Sequence, residues 1–247
     1  MRAVTVLLIS ILLGLALAAC GEPAGKPEEE PSEAPDAVAE EGGQTPSSTA
    51  AEGGAQVVVD GSGFSVDEYG NAGYGLVLHN TSTAEDAYDL AITANLLDSA
   101  GNVIDTDNTT LSLLPAGETF YFGGEFYDVK KAKKLEAFVD IGTTEPAQYE
   151  LPKATNVRLA GDQDFGLRVK GQVKNTHEGT LSEFARIGVV VFDKNDEVIG
   201  GGYAFLDANL PSGRTAAFDT GNGVSATPRS KAARVKASVE NSFVQDE

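Results

Sequence analysis

Apolar and polar positions alternate through most of the chain beyond residue 56. Leu90, Ile92, Ala94 and Leu96 alternate with Ala91, Thr93 and Asn95, the period of a strand with one buried face. Ala185, Ile187, Val189 and Val191 fall at the same phase, and near the end Val235, Ala237 and Val239 alternate with Arg234, Lys236, Ser238 and Glu240. Gly and Pro turns separate these runs, and long helical patterns are missing. The pattern predicts an all-β protein of short strands.

The pattern is written twice. "GLVLHNT" at 75–81 aligns with "KGQVKNT" at 170–176, and "LAITANLLDSAGNVI" at 90–104 with "ARIGVVVFDKNDEVI" at 185–199, both at a spacing of 95 without a gap. "LLPAGETFYF" at 113–122 matches "NLPSGRTAAF" at 209–218 at a spacing of 96. Copies of about 95 residues have the usual size of a domain and exceed solenoid repeats. Six or seven short strands in each copy imply two tandem small antiparallel β-sandwich domains of immunoglobulin-like form, over 56–149 and 150–247.

The order Gly-x-x-x-Asn-Thr, an apolar strand ending in Asp, a turn, Val-Ile and Leu-Pro-x-Gly resembles the FxLYD domain family. The resemblance implies small extracytoplasmic β-sandwiches, often on lipoproteins, with no established activity. The family's Phe-x-Leu-Tyr-Asp stands here as Ala94-Asn95-Leu96-Leu97-Asp98 and Val189-Val190-Val191-Phe192-Asp193, keeping the Asp and the apolar character.

Residues 1–19 read as a signal peptide. Arg2 gives a weak positive end, an apolar run follows to about Ala19, and it is short for a span of ~20 residues. Leu17-Ala18-Ala19-Cys20 resembles a bacterial lipobox, and Cys20 is the only cysteine. The resemblance implies cleavage before Cys20, a diacylglycerol on its thiol and usually an added acyl chain on the new amino terminus. Two or more chains anchor stably. A plain secretory signal and a retained anchor are the alternatives. Residues 20–55 then form an acidic stretch of Pro, Glu, Ala, Gly and Ser with almost nothing to bury. It is expected to be a disordered tether, roughly 30–35 Å in root-mean-square span as an ideal chain.

Charge narrows the partners. The net charge of −19 argues against nucleic acid, which needs a basic footprint. One cysteine excludes an internal disulfide and a Cys-based metal site. No Ser nucleophile motif, phosphate loop or His-Glu-x-x-His pattern is present, and no cofactor is implied. His79 and His177, the only histidines, read as surface residues.

The acidic run Asp193 to Glu197 suggests calcium, but Val198 and Ala204 stand where a helix-loop-helix site wants Gly and a bidentate acid. In the first copy the run becomes Asp98-Ser99-Ala100-Gly101-Asn102, losing most of the would-be ligands. A hairpin turn opened by Asp, with a left-handed residue at Gly101 or Asp196, is the favoured reading.

Two surfaces remain. Tyr121, Phe126 and Tyr127 lie in "TFYFGGEFYD" (119–128), read as core or inter-domain packing against the alternative of a partner surface for an envelope protein or glycan. Lys130, Lys131, Lys133 and Lys134 form a candidate basic patch for head groups or acidic wall polymer, with a solvated loop as the simpler reading. The expectation is a non-enzymatic binding or interaction module, anchored outside the cytoplasm to the bacterial cell membrane. A structural spacer and, less favoured, an envelope hydrolase are the alternatives.

Overall fold

The computed structural model describes residues 56–161, 166–221, 223–224 and 226–244. The signal peptide, Cys20 and the tether lie outside the described residues. The described residues contain thirteen strands and no helix, and they fall in one compact unit.

The first sandwich pairs two sheets. One has the order β1 (Val57–Val66), β2 (Ala72–Asn80), β5 (Thr119–Phe126). The other has β4 (Val103–Leu114), β3 (Glu85–Leu97), β6 (Lys134–Asp140), with β7 (Thr143–Pro146) also on β3. The second sandwich has one sheet of β12 (Thr215–Asp219), β9 (Arg168–Lys174) and β8 (Lys153–Ala160). Its other sheet is β11 (Val198–Ala204), β10 (Ile187–Phe192) and β13 (Arg234–Val239). Every pairing among these strands is antiparallel. The all-β, two-sandwich fold expected from the repeat is what forms.

The alternation sorts as expected. Leu90, Ile92, Ala94 and Leu96 enter the first core, and Ala185, Ile187, Val189 and Val191 the second. Register follows the repeat: Thr93 pairs with Asn108 as Gly188 pairs with Tyr203, and both hairpins carry a shift at the same place, Leu96/Leu97 and Val191/Phe192.

The repeated Asn-Thr pair has a structural reason. Asn80 is fully buried and donates its amide to the Glu85 and Leu114 carbonyls at 2.9 and 3.0 Å. Asn175 does the same to Gly179 and Leu210 at 2.8 and 2.9 Å. Each side-chain oxygen accepts an amide two residues on, from Ser82 and His177. Each amide thus bridges two carbonyls across its loop, one of them on a buried residue, Leu114 or Leu210. Gly117 and Gly213 end the Leu-Pro-x-Gly turns at φ +71° and +69°, in the left-handed region where glycine is favoured.

The acidic run is a hairpin corner. Asp193 Oδ1 accepts the Asn195 and Glu197 amides at 2.7 and 3.0 Å. Asp98 Oδ1 accepts those of Ala100 and Asn102 at 2.8 and 3.0 Å. Gly101 and Asp196 hold φ +83° and +63°, the two left-handed positions expected.

Glycine use departs from expectation. Several glycines lie within strands where the two sandwiches meet, not in turns. The β1-β2-β5 sheet packs on the β11-β10-β13 sheet backbone to backbone. A Cβ built on Gly123 would come within 2.0 Å of the Gly202 carbonyl, on Gly63 within 1.8 Å of the Val198 carbonyl, and on Gly188 within 2.2 Å of the Tyr121 carbonyl. The contact is heterologous: β11-β10-β13 repeats β4-β3-β6, so one sandwich's first sheet meets the other's second. "IGVVVF" is buried at every position because both faces of β10 are covered, as in a sheet sandwiched between layers.

Candidate functional site

The join leaves a cleft of about 600 Å³ at one end. The first sandwich contributes the start of β2 (Asn71 to Gly73) and the end of β5 (Glu125 to Tyr127). The second contributes the end of β11 (Tyr203 to Phe205) and the turn after β12 (Asp219 to Gly221).

Three aromatic side chains give the cleft its character. Tyr127 is 64% exposed and Phe205 47% exposed, large values for rings beside a cavity. Tyr203 meets Phe205 edge-on, with centroids 5.5 Å apart. Alternation explains the exposure: β11 turns Gly201 and Tyr203 to the join, and Tyr127 lies just past the end of β5.

The charges are mostly spoken for. Arg186, entering from the second sandwich, lies 4.3 Å from the Tyr203 ring centroid and 4.5 Å from that of Phe122. It donates to the Gly123 carbonyl at 2.6 Å, so one cation ties both sandwiches together. Asp219 accepts two bonds from Arg168, at 3.1 and 2.7 Å, and Lys170 lies 3.3 Å away. Burial raises its pKa, but the Gly221 amide, Arg168 and Lys170 outweigh that and hold the carboxyl below its ordinary value. Tyr127 donates its hydroxyl to Glu125 Oε2 at 2.7 Å. That bond and the Glu125 charge push the phenol up to about 12, keeping it a donor. Glu125 Oε1 has no hydrogen-bond partner among the described residues.

The cleft sits far from the point where the chain enters the fold. Val57 pairs with Asn80 at one end of β1, and Val66 with Ala72 at the other, beside the cleft. Ten extended residues separate these ends by about 30 Å. A smaller cleft of about 270 Å³ lies at the entry end, lined by Thr119, Tyr121 and the connector Glu150 to Thr155.

The expected partner surface does not assemble as one patch. Phe126 is 3% exposed and stacks on Tyr74 at 5.1 Å, because even positions of β5 face the first core. Tyr121 is half-buried at the join, edge-on to Phe192 at 6.3 Å, and lines the smaller cleft. Only Tyr127 presents its ring at the larger one.

Lys130, Lys131, Lys133 and Lys134 are all exposed. Their loop is pinned by buried Val129 and Ala132, and Lys134 pairs with Glu136 at 2.6 Å. His79 is partly exposed beside Asp60, at 3.2 Å. His177 is less superficial than expected: it packs edge-on to Phe243 at 5.2 Å with Nε2 buried.

Sequence reasoning missed Tyr203, Phe205 and Asp219. A signal for Tyr203 was there in the repeat. Gly201 and Tyr203 occupy the positions of Thr106 and Asn108, a face that should be polar if it met water.

No protein-family model and no curated protein matches the chain. Among solved structures, the chain is similar to the N-terminal CBM22-1-CBM22-2 tandem domain from Paenibacillus barcinonensis Xyn10C, at 10% identity and a TM-score of 0.16, over 80% of this chain and 86% of that one.

Proposed function

We propose that the protein is a non-enzymatic binding lipoprotein of the FxLYD type, held to the outer side of the bacterial cell membrane through a lipid on Cys20. Its ligand site is the cleft between the sandwiches. One observation carries this reading: both sandwiches contribute exposed aromatic rings to a single cavity of ligand size. Its position supports it too. The tether sequence joins the fold at Val57, and the cleft lies at the far end of β1, so an anchored protein presents it away from the membrane.

A structural spacer is the second reading, favoured by the backbone-to-backbone join, which makes one stout body of two domains. Amide NMR of the full chain with a soluble envelope extract separates the two. Ligand binding shifts Gly73, Glu125, Phe205 and Gly221 saturably. An extract that leaves every amide in place supports the spacer. Cys20→Ala is expected to release the protein from membranes, and normal retention of that variant would overturn the lipid anchor.

A further inference from the structure

We infer that the junction cleft takes a neutral oligosaccharide, an assignment that rests on reading the cleft as the ligand site. Charges of both signs border the cleft, so a ligand of either sign meets a like charge there. The free aromatic faces invite a cation, but Arg186 already lies 4.3 Å from the Tyr203 ring centroid. An ammonium or basic peptide beside it would lose to like-charge repulsion much of what the rings supply. Arg168 and Lys170 guard the other wall through Asp219. An anionic polymer meets the opposite obstacle, since the unpartnered oxygen of Glu125 faces it. A ligand without charge meets neither.

The remaining groups suit a sugar. Tyr127 and Phe205 supply exposed rings from the two sandwiches, and the C–H face of a pyranose stacks on such a surface without charge. Glu125 Oε1 and Asn71 Oδ1 have no partner among the described residues, so both can accept from hydroxyls. The bond from a carboxylate is charge-assisted and the stronger of the two. The Tyr127 hydroxyl holds Glu125 by its other oxygen, which fixes the acceptor beside the ring. At about 600 Å³ the cleft falls within the range of ordinary ligand pockets and has room for about two or three sugar rings.

The test titrates the full chain with neutral tetrasaccharides built from glucose, mannose, galactose or N-acetylglucosamine. Tetragalacturonic acid and the glucosamine tetramer serve as anionic and cationic probes. At least one neutral tetramer is expected to bind saturably. Tyr127→Ala and Phe205→Ala should each weaken it tenfold or more, Glu125→Gln several-fold, and Tyr127→Phe less than Tyr127→Ala. Unchanged melting curves show that the exposed substitutions leave the fold intact. Binding of a charged tetramer alone, or of no tetramer while envelope extract still shifts the cleft amides, overturns the neutral-sugar assignment and leaves the cleft as a site. Binding of a neutral tetramer that ignores Tyr127→Ala, Phe205→Ala and Glu125→Gln overturns its placement here. No tetramer bound and no amide shifted by extract overturns both readings.

Discussion

The two copies agree inside each sandwich and differ on the faces that meet or miss each other. Gly73, Gly75 and Gly123 turn toward the second sandwich; the corresponding positions of the second copy are Arg168, Lys170 and Asp219, which meet water and pair with one another. The reverse holds on the other sheet. Thr93, Asn95 and Thr106 lie on the outer face of the first sandwich, where Thr106 donates to Asn95 at 2.7 Å. Their counterparts Gly188, Val190 and Gly201 are buried in the join. A duplicated chain thus separates two demands. Positions that agree build the fold, and positions that disagree on an outward face mark which copy is covered.

The largest test breaks the join where the copies differ most. Gly123→Leu forces a side chain against the Gly202 backbone, which cannot yield as a flexible side chain would. The cost is expected at or above the top of the roughly 1–3 kcal/mol typical of overpacking. Urea unfolding should shift to a lower midpoint and split into two transitions as the sandwiches part. The equivalent Asp219→Leu faces water and should stay within about 1 kcal/mol of the parent, the usual worth of a surface ion pair. Equal costs at the two positions would sink the claim that they serve different surroundings.

A second pair should behave alike because it lies where the copies agree. Asn80→Ala and Asn175→Ala each remove a buried amide that donates to two carbonyls, one of them buried. Each should cost about 2–3 kcal/mol, and thermal melts of the two variants should move together. A wide split between them would mean that one loop, not the shared fold, depends on the amide.

How much of this was legible in the chain follows from what each residue touches. Strand phase was legible, since Leu90 to Leu96 and Ala185 to Val191 obey a local period that packing then uses. The corner at Asp193 was legible because its bonds span four residues. The join was not, since it depends on partners far along the chain: Gly123 looks like a turn glycine until β11 lies on it. Phe126 and Tyr127 look alike in sequence, and one step past the end of β5 leaves the second beside the cleft while the first enters the core. The cleft itself was invisible, because Tyr127 and Phe205 are brought together only by the join.

Acid should weaken the molecule, in part through charges that only the uncovered copy carries. Asp219 is held below its ordinary value by the Gly221 amide, Arg168 and Lys170, against the upward push of burial. A carboxyl with a depressed folded value adds stability above the unfolded value of about 3.9, and that stability fades as pH falls through the folded one. Asp67, held down by Asn71 and the turn amides against burial, acts in the same direction in the first copy. Melting temperature should fall below about pH 4, and Asp219→Asn should make the fall shallower. A fall as steep in that variant would place the acid-sensitive groups elsewhere.

The smallest effect lies at the two hairpin corners, where fold and surroundings can be told apart in one position. Gly101 and Asp196 hold the same left-handed conformation. A side chain at Gly101 would meet no atom within 4 Å, so Gly101→Asp pays only for the backbone, roughly 1 kcal/mol or a little more. Asp196 already bears that cost and recovers part of it from Arg234, whose Nε donates to it at 3.0 Å and whose Nη2 lies 2.8 Å from the same oxygen, while the guanidinium stacks on Phe192. Asp196→Gly relieves the backbone and loses the exposed pair, so the two changes should cancel to within about 0.5 kcal/mol. In the first copy the residue paired across from Leu97 is Lys134, whose partner is Glu136. No arginine is therefore placed to rescue an aspartate at 101, and Gly101→Asp should show its whole cost in the melt. A loss from Asp196→Gly as large as that from Gly101→Asp would mean that the acidic corner does more than close a turn.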